Sequence, residues 1–245
     1  MISRTMHSLA YDSINDEIIV NSPLAQAVLT FRGGANGEEP PLRVIQGSRT
    51  QIQGTAYDGN DEMNFDEVHG EIYVPVATSR GPGVADILVF DRLANGNVAP
   101  KRVLGGPDTL IKGSVRGHPS VGIDSTHNLV IVRSGGAILI FDRMASGNTK
   151  PLRVIQGPKS GVAGGGQPQV YGPKGWIVTG AGGGSLGVWS VNDNGDVPPR
   201  WRIPVQQLAG IATSGITLIP AHKELIATSG AANRMVTFYF PEMFE

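Results

Sequence analysis

No cysteine occurs among the 245 residues. Disulfides and thiolate metal sites are therefore excluded. Charge is also sparse. Asp, Glu, Lys and Arg make up 17% of the chain and nearly cancel, leaving a formal net charge of -1 at pH 7. That balance argues against nucleic acid as a partner, since a general nucleic-acid binder carries a basic face. No apolar run approaches the roughly 18 residues that cross a bilayer, so no membrane insertion is expected. The opening residues Met1 to Met6 lack the apolar stretch of a secretory leader, and the compartment stays open. Aromatic residues are only 6%. Glycine and proline, by contrast, are abundant at 34 and 17. Together they are about a fifth of the chain, against an ordinary share of roughly 12%. They interrupt nearly every window long enough for a stable helix. There is no three-residue glycine period, which excludes collagen. The hydrophobic share of 40% is too near normal for general disorder. What remains is a chain of many turns and many short strands.

The strands repeat. Residues 87–106 read ILVFDRLANGNVAPKRVLGG and residues 138–157 read ILIFDRMASGNTKPLRVIQG. Residues 27–47 and 186–206 are further copies, and a fifth begins at Met235. The aromatic anchors Phe31, Phe90, Phe141, Trp189 and Phe238 are 59, 51, 48 and 49 residues apart. Gly37, Gly96, Gly147 and Gly195 each follow their anchor by six residues, and Pro41, Pro100, Pro151 and Pro199 by ten. Upstream of every copy lies an apolar strand, a polar turn and a second apolar strand, as in LAYDSINDEIIV at 9–20. Asp12, Asp66 and Asp124 hold one turn position, where Asp bonds its own backbone; Gly172 and Pro220 replace it later.

One unit is thus a four-stranded antiparallel meander. Such a sheet has two apolar faces, and stacking sheets face to face around an axis buries both. The expected fold class is all-β: a β-propeller of about five four-stranded blades, forming a single domain. The blades fall near 7–47, 61–106, 118–157, 167–206 and 214–245. The fifth copy has three convincing strands. Residues 1–6 could supply its fourth, since Ile2 to Thr5 weakly resembles Leu42 to Ile45. The alternative is an incomplete six-bladed propeller.

The third blade opens with His118-Pro119-Ser120-Val121-Gly122-Ile123-Asp124 and continues with Leu129-Val130-Ile131-Val132. This resembles NHL-type and related bacterial six-bladed propeller repeats, which open with a proline, a small residue and an apolar-Asp pair. Residues 138–157 resemble the second half of repeats in extracytoplasmic bacterial propellers. The resemblance implies a soluble protein- or ligand-binding scaffold of extracytoplasmic origin. Related folds also include lactonases and lyases that hold a metal on the axis.

A metal-assisted hydrolase or lyase would need ligands converging at the mouth of the central channel. His7, Glu62 and His118 stand at comparable blade openings and are the metal candidates for a divalent cation. The other three histidines, His69, His127 and His222, fall in turns. No G-x-S-x-G, P-loop or dinucleotide motif occurs, so no catalytic residue and no cofactor is assigned. Asp91-Arg92 and Asp142-Arg143 recur after strand three, where a local salt bridge or turn bond would suffice. Arg43, Arg102 and Arg153 recur on the outer strand, where an edge charge would discourage unwanted pairing. Blade 2 carries the segments that do not repeat, 50–64 and 78–86. Variable loops on a rigid frame are where recognition usually resides. The expected role is a non-enzymatic binding scaffold whose partner, a protein or small molecule, docks on one face near those loops.

Overall fold

The computed structural model describes residues 8–52, 62–77, 84–113, 119–164 and 166–245. The architecture is the expected one: all-β, with antiparallel meander sheets as the blades of a β-propeller. Blade 1 holds β1 (Ser8–Asp12), β2 (Glu17–Ser22), β3 (Ala27–Arg32) and β4 (Arg43–Gln46). Blade 2 holds β5 (Asn64–Asp66), β6 (Glu71–Ala77), β7 (Ala85–Asp91) and β8 (Arg102–Gly105). Blade 3 holds β9 (Ser120–Asp124), β10 (Leu129–Ser134), β11 (Ala137–Asp142) and β12 (Arg153–Ile155). Blade 4 holds β13 (Gln169–Tyr171), β14 (Trp176–Ala181), β15 (Ser185–Ser190) and β16 (Trp201–Ile203), followed by the short helix α1 (Val205–Ala209). Blade 5 holds β17 (Gly215–Ile219), β18 (Glu224–Ser229) and β19 (Arg234–Tyr239), followed by α2 (Pro241–Phe244). In every sheet the spatial order is the chain order, so no strand crosses over.

Among the described residues blade 5 has three strands, not four. The segment expected to close it, residues 1–6, lies outside the described residues.

The chain divides into two compact units. One comprises residues 1–121 with 144–150, the other 122–143 with 151–245. In the first, Ile19, Val28 and Ile45 of blade 1 pack with Ile72, Val74, Leu88 and Phe90 of blade 2. In the second, Ile131 and Ile140 of blade 3 pack with Ile177 and Trp189 of blade 4. Val178, Leu186 and Val188 of blade 4 pack with Leu225 and Ala227 of blade 5. The alternation of the strand period assigns these side chains to one face or the other. Each aliphatic side chain fully buried stabilises by roughly 1.5–3 kcal/mol. The anchors Phe90, Phe141 and Trp189 are fully buried. Few aromatics are needed, because β-branched and leucine side chains fill the space between sheets.

The turn between the first two strands works as the Asp pattern indicates, and more tightly. Asp12 Oδ1 accepts from the backbone N–H of Ile14 (3.1 Å) and Asn15 (3.0 Å), while its Oδ2 accepts from Asn15 Nδ2 at 2.8 Å. Asp66 accepts likewise from Val68 and His69, and His69 Nδ1 lies 2.8 Å from its second oxygen. Asp124 repeats this with His127, again 2.8 Å from Nδ1. All three carboxylates are buried. His69 and His127 are therefore turn residues, as expected, but each ring is tied to a buried acid. Blades 4 and 5 replace the device with 3-10 turns at Gly172–Lys174 and Pro220–His222.

Candidate interaction surface

The repeat carries a joint that the pattern of strands alone does not reveal. The turn after strand three of one blade clasps the outer strand of the blade before it. Gly96 N donates to Val44 O at 2.6 Å, and Gly96 O accepts from Gln46 N at 3.2 Å. Gly147 holds Val103 and Gly105 of β8 in the same way, at 2.7 and 3.1 Å. Gly195 holds Val154 and Gln156 at 2.7 and 3.1 Å. The residue after the glycine completes the clasp. Asn97 Oδ1 accepts from Arg49 N (2.7 Å), Asn148 Oδ1 from Asp108 N (2.7 Å) and Asp196 Oδ1 from Lys159 N (2.8 Å). These side chains lie directly against Gly47, Gly106 and Gly157, whose φ values are 128°, 132° and 137°. A Cβ on Gly106 would stand 2.6 Å from Asn148 Oδ1, so no larger residue fits. Thr50, Thr109 and Ser160 close the loop by donating to the carbonyls of Gly47, Gly106 and Gly157 at 2.7 Å. The signal was present in the sequence, as Gly-Ser-Arg-Thr, Gly-Pro-Asp-Thr and Gly-Pro-Lys-Ser, together with Asn or Asp after the turn glycine.

The outer-strand arginines do not guard an edge, which corrects the expectation for Arg43 and Arg102. Those edges are already covered by the clasp, and the guanidinium groups turn back onto strand two. Arg102 Nη1 and Nη2 donate to Glu71 at 2.9 and 2.6 Å, and Lys101 Nζ and Tyr73 Oη add bonds of 2.9 Å. Burial alone would raise the Glu71 carboxyl, but the bonds from Arg102, Lys101 and Tyr73 outweigh it. They hold the carboxyl far below the usual carboxylate range. Burial, then the adjacent Glu71 charge, pushes the Tyr73 hydroxyl well above its ordinary value. In blade 1, Arg43 pairs closely with Glu17, and Arg92 Nη1 donates to the same carboxylate at 2.9 Å. The arginine of the Asp-Arg pair thus bridges 75 residues back to another blade rather than forming a local bridge. Its neighbour Asp91 does make the expected turn bond, to Leu93 N at 2.9 Å.

Blade 4 fills the same two positions with aromatic rings in place of the acid and the arginine. Trp176 stands where Glu17 and Glu71 stand, and Trp201 where Arg43 and Arg102 stand. The rings meet edge to face at 5.4 Å, and Arg200 lies 4.7 Å over the Trp176 ring. Phe240 adds a third ring at 5.5 Å from Trp201.

Blade 5 leaves the position half built. Glu224 is the counterpart of Glu17 and Glu71, but no outer strand faces it among the described residues. The exposed His222 ring lies 3.6 Å from its carboxylate. Met235 of β19 is 68% exposed, whereas its counterparts Val28, Ile87, Ile138 and Leu186 are all at 0%. Tyr239 on the same face is 70% exposed.

Of the metal candidates, His7 and His118 lie outside the described residues. Glu62 is described; it has a left-handed φ of 58°, and its carbonyl accepts from Val121 N at 3.4 Å. Among the described residues no three His, Asp or Glu side chains gather so as to hold a metal ion. Segments 53–61 and 78–83 of the blade 2 loops also lie outside the described residues. Gly182–Gly184 forms the hairpin turn between β14 and β15. No helix of the described residues is long and apolar enough to cross a membrane.

No family model and no curated protein matches this chain. A solved chain from the "Crystal Structure of Mitotic Checkpoint Complex" is similar at 13% identity with a TM-score of 0.61, over 97% of this chain and 62% of that one. This chain therefore spans less than two thirds of the similar chain. At that identity the likeness shows the fold alone, a β-propeller.

Proposed function

We propose that the five sheets form one propeller domain of NHL-like type that serves as a non-enzymatic binding scaffold. Its partner, a protein or small molecule, docks on one face near the blade 2 segments 50–64 and 78–86. One observation carries this reading. The polar groups best suited to chemistry are committed to the frame, copy after copy. Buried Asp12, Asp66 and Asp124 close turns, His69 and His127 brace two of those acids, and Glu17 and Glu71 hold arginines. A frame fixed this way holds the strands that flank its non-repeating segments, and variable loops on a rigid frame are where recognition usually resides. The similar solved chain belongs to a structure titled as a complex, which fits a scaffold role.

The test replaces residues 53–61 and 78–83 by short linkers and compares partner capture with the parent protein. Capture should be lost while the denaturation midpoint stays within a few degrees. Unchanged capture of the same partner would refute the location, and turnover of a substrate at the loops would refute the non-enzymatic role.

A further inference from the structure

The outer edge of β19 is a built acceptor for one kind of strand. In blades 1 to 4 the residue before the aromatic anchor offers its carbonyl outward. Thr30 O accepts from Leu42 N, Val89 O from Lys101 N, Ile140 O from Leu152 N and Val188 O from Arg200 N, all at 2.7–2.8 Å. Thr237 occupies that position before Phe238, and among the described residues β19 pairs with β18 alone. Among the described residues, the outward N–H and C=O groups of Met235 and Thr237 are thus the unfilled equivalents of a ladder completed four times elsewhere.

The side chains specify which strand would fit. Where strand two begins with Glu, the outer strand begins with Arg: Glu17 with Arg43, and Glu71 with Arg102. Glu224 has the same register, opposite Tyr239 of β19, as Glu17 has opposite Arg32 and Glu71 opposite Asp91. Four residues before Tyr239, Met235 matches Val28 and Ile87, which face Ile45 and Leu104 of the outer strand. An incoming antiparallel strand with Arg opposite Thr237 and Ile or Leu opposite Met235 satisfies the acid, the apolar side chain and the backbone together.

We propose that the β19 edge binds an extended segment of Arg-Val-Ile type from a partner polypeptide by strand addition. Strand addition takes its affinity from main-chain bonds and its selectivity from alternate side chains. The proposal deepens the scaffold reading by naming a second site and its ligand chemistry. It fails separately, because it does not involve the blade 2 loops.

The experiment uses the full chain and a labelled peptide, Pro-Pro-Leu-Arg-Val-Ile-Gln-Gly, copied from residues 40–47. Saturable binding is expected, with slowed amide exchange at Met235 and Thr237. Glu224→Lys should weaken binding by about tenfold or more, as should Glu in place of the peptide arginine. Combining the two reversals should restore much of the loss. Met235→Lys gives a second variant that does not depend on the charge pair. The proposal is overturned if a scrambled peptide binds equally, or if neither protein variant changes binding. It is also overturned if these amides are protected without peptide, whether released by deleting residues 1–7 or by dilution. The first would mean that the chain fills its own edge, the second that another copy does.

Discussion

Glu71→Gln removes a buried negative charge while keeping the side chain's shape. In the parent protein Glu71 is 3% exposed and Arg102 is 10% exposed, so both charges sit largely out of water. Gln retains one acceptor but turns an amide N–H toward a guanidinium that can only donate. Removing one member of a buried pair costs about 3–5 kcal/mol, because the other charge is stranded. With one acceptor kept, the lower end applies, about 3 kcal/mol at pH 7. Removing both charges behaves differently. Glu71→Leu with Arg102→Leu and Tyr73→Phe replaces the pair and the buried hydroxyl bonded to it by apolar contact and should lie within about 1 kcal/mol of the parent protein. Blade 4 already stands in that state, with Trp176 and Trp201 at the two positions.

Acid provides an internal control. Glu71 is held far below its ordinary value in the folded state. Its contribution is therefore complete above the unfolded value of about 4.3 and is lost as pH falls below that value through the folded one. Equilibrium urea denaturation of the parent protein and both variants, at pH 7 and near pH 3, measures this. The gap between the parent protein and Glu71→Gln should narrow in acid. A single variant within about 1 kcal/mol of the parent protein at pH 7, or a gap indifferent to pH, would refute the account.

The clasp makes a second prediction. Gly106→Ala should cost about 2 kcal/mol, since its φ of 132° disfavours a side chain and the new Cβ meets Asn148. Gly96→Ala, where the new Cβ meets nothing within 4 Å, should cost less, and the reverse order in a thermal melt would count against the clasp. For metal, the scaffold reading expects the purified protein to carry a divalent ion well below one per chain and to melt at the same temperature with and without chelator. A stoichiometric ion whose removal lowers the midpoint would restore His7, Glu62 and His118 as ligand candidates.

The strand framework was legible in the sequence because it depends on local rules. An anchor, a turn glycine and a proline at fixed offsets define a meander without reference to any distant residue. The turn aspartates were legible for the same reason, since their bonds reach only two or three residues. The roles of Arg43, Arg92 and Arg102 were not. Their partners lie 26, 75 and 31 residues away, and nothing in a local pattern says whether a charge on a short strand turns to water or to a carboxylate. Asn97 and Asn148 read as ordinary turn residues until the preceding outer strand is placed against them. The candidate edge on β19 was partly visible, as a fifth copy lacking its last strand. Its selectivity came only with the register, which sets Glu224 and Met235 where filled sheets place an arginine partner and a buried aliphatic residue.

The strap at 144–150 has a consequence for anyone dissecting the gene. It is encoded within blade 3, yet it belongs to the same compact unit as blades 1 and 2, through Gly147 against Val103 and Asn148 against Asp108. A fragment ended at the boundary between the second and third sheets would lose that strap and bare the edge of β8. The sheet boundaries and the boundary of the compact unit are therefore offset by part of a repeat. An expression fragment meant to hold the first unit must run past residue 150, carrying strands of the next sheet along with it.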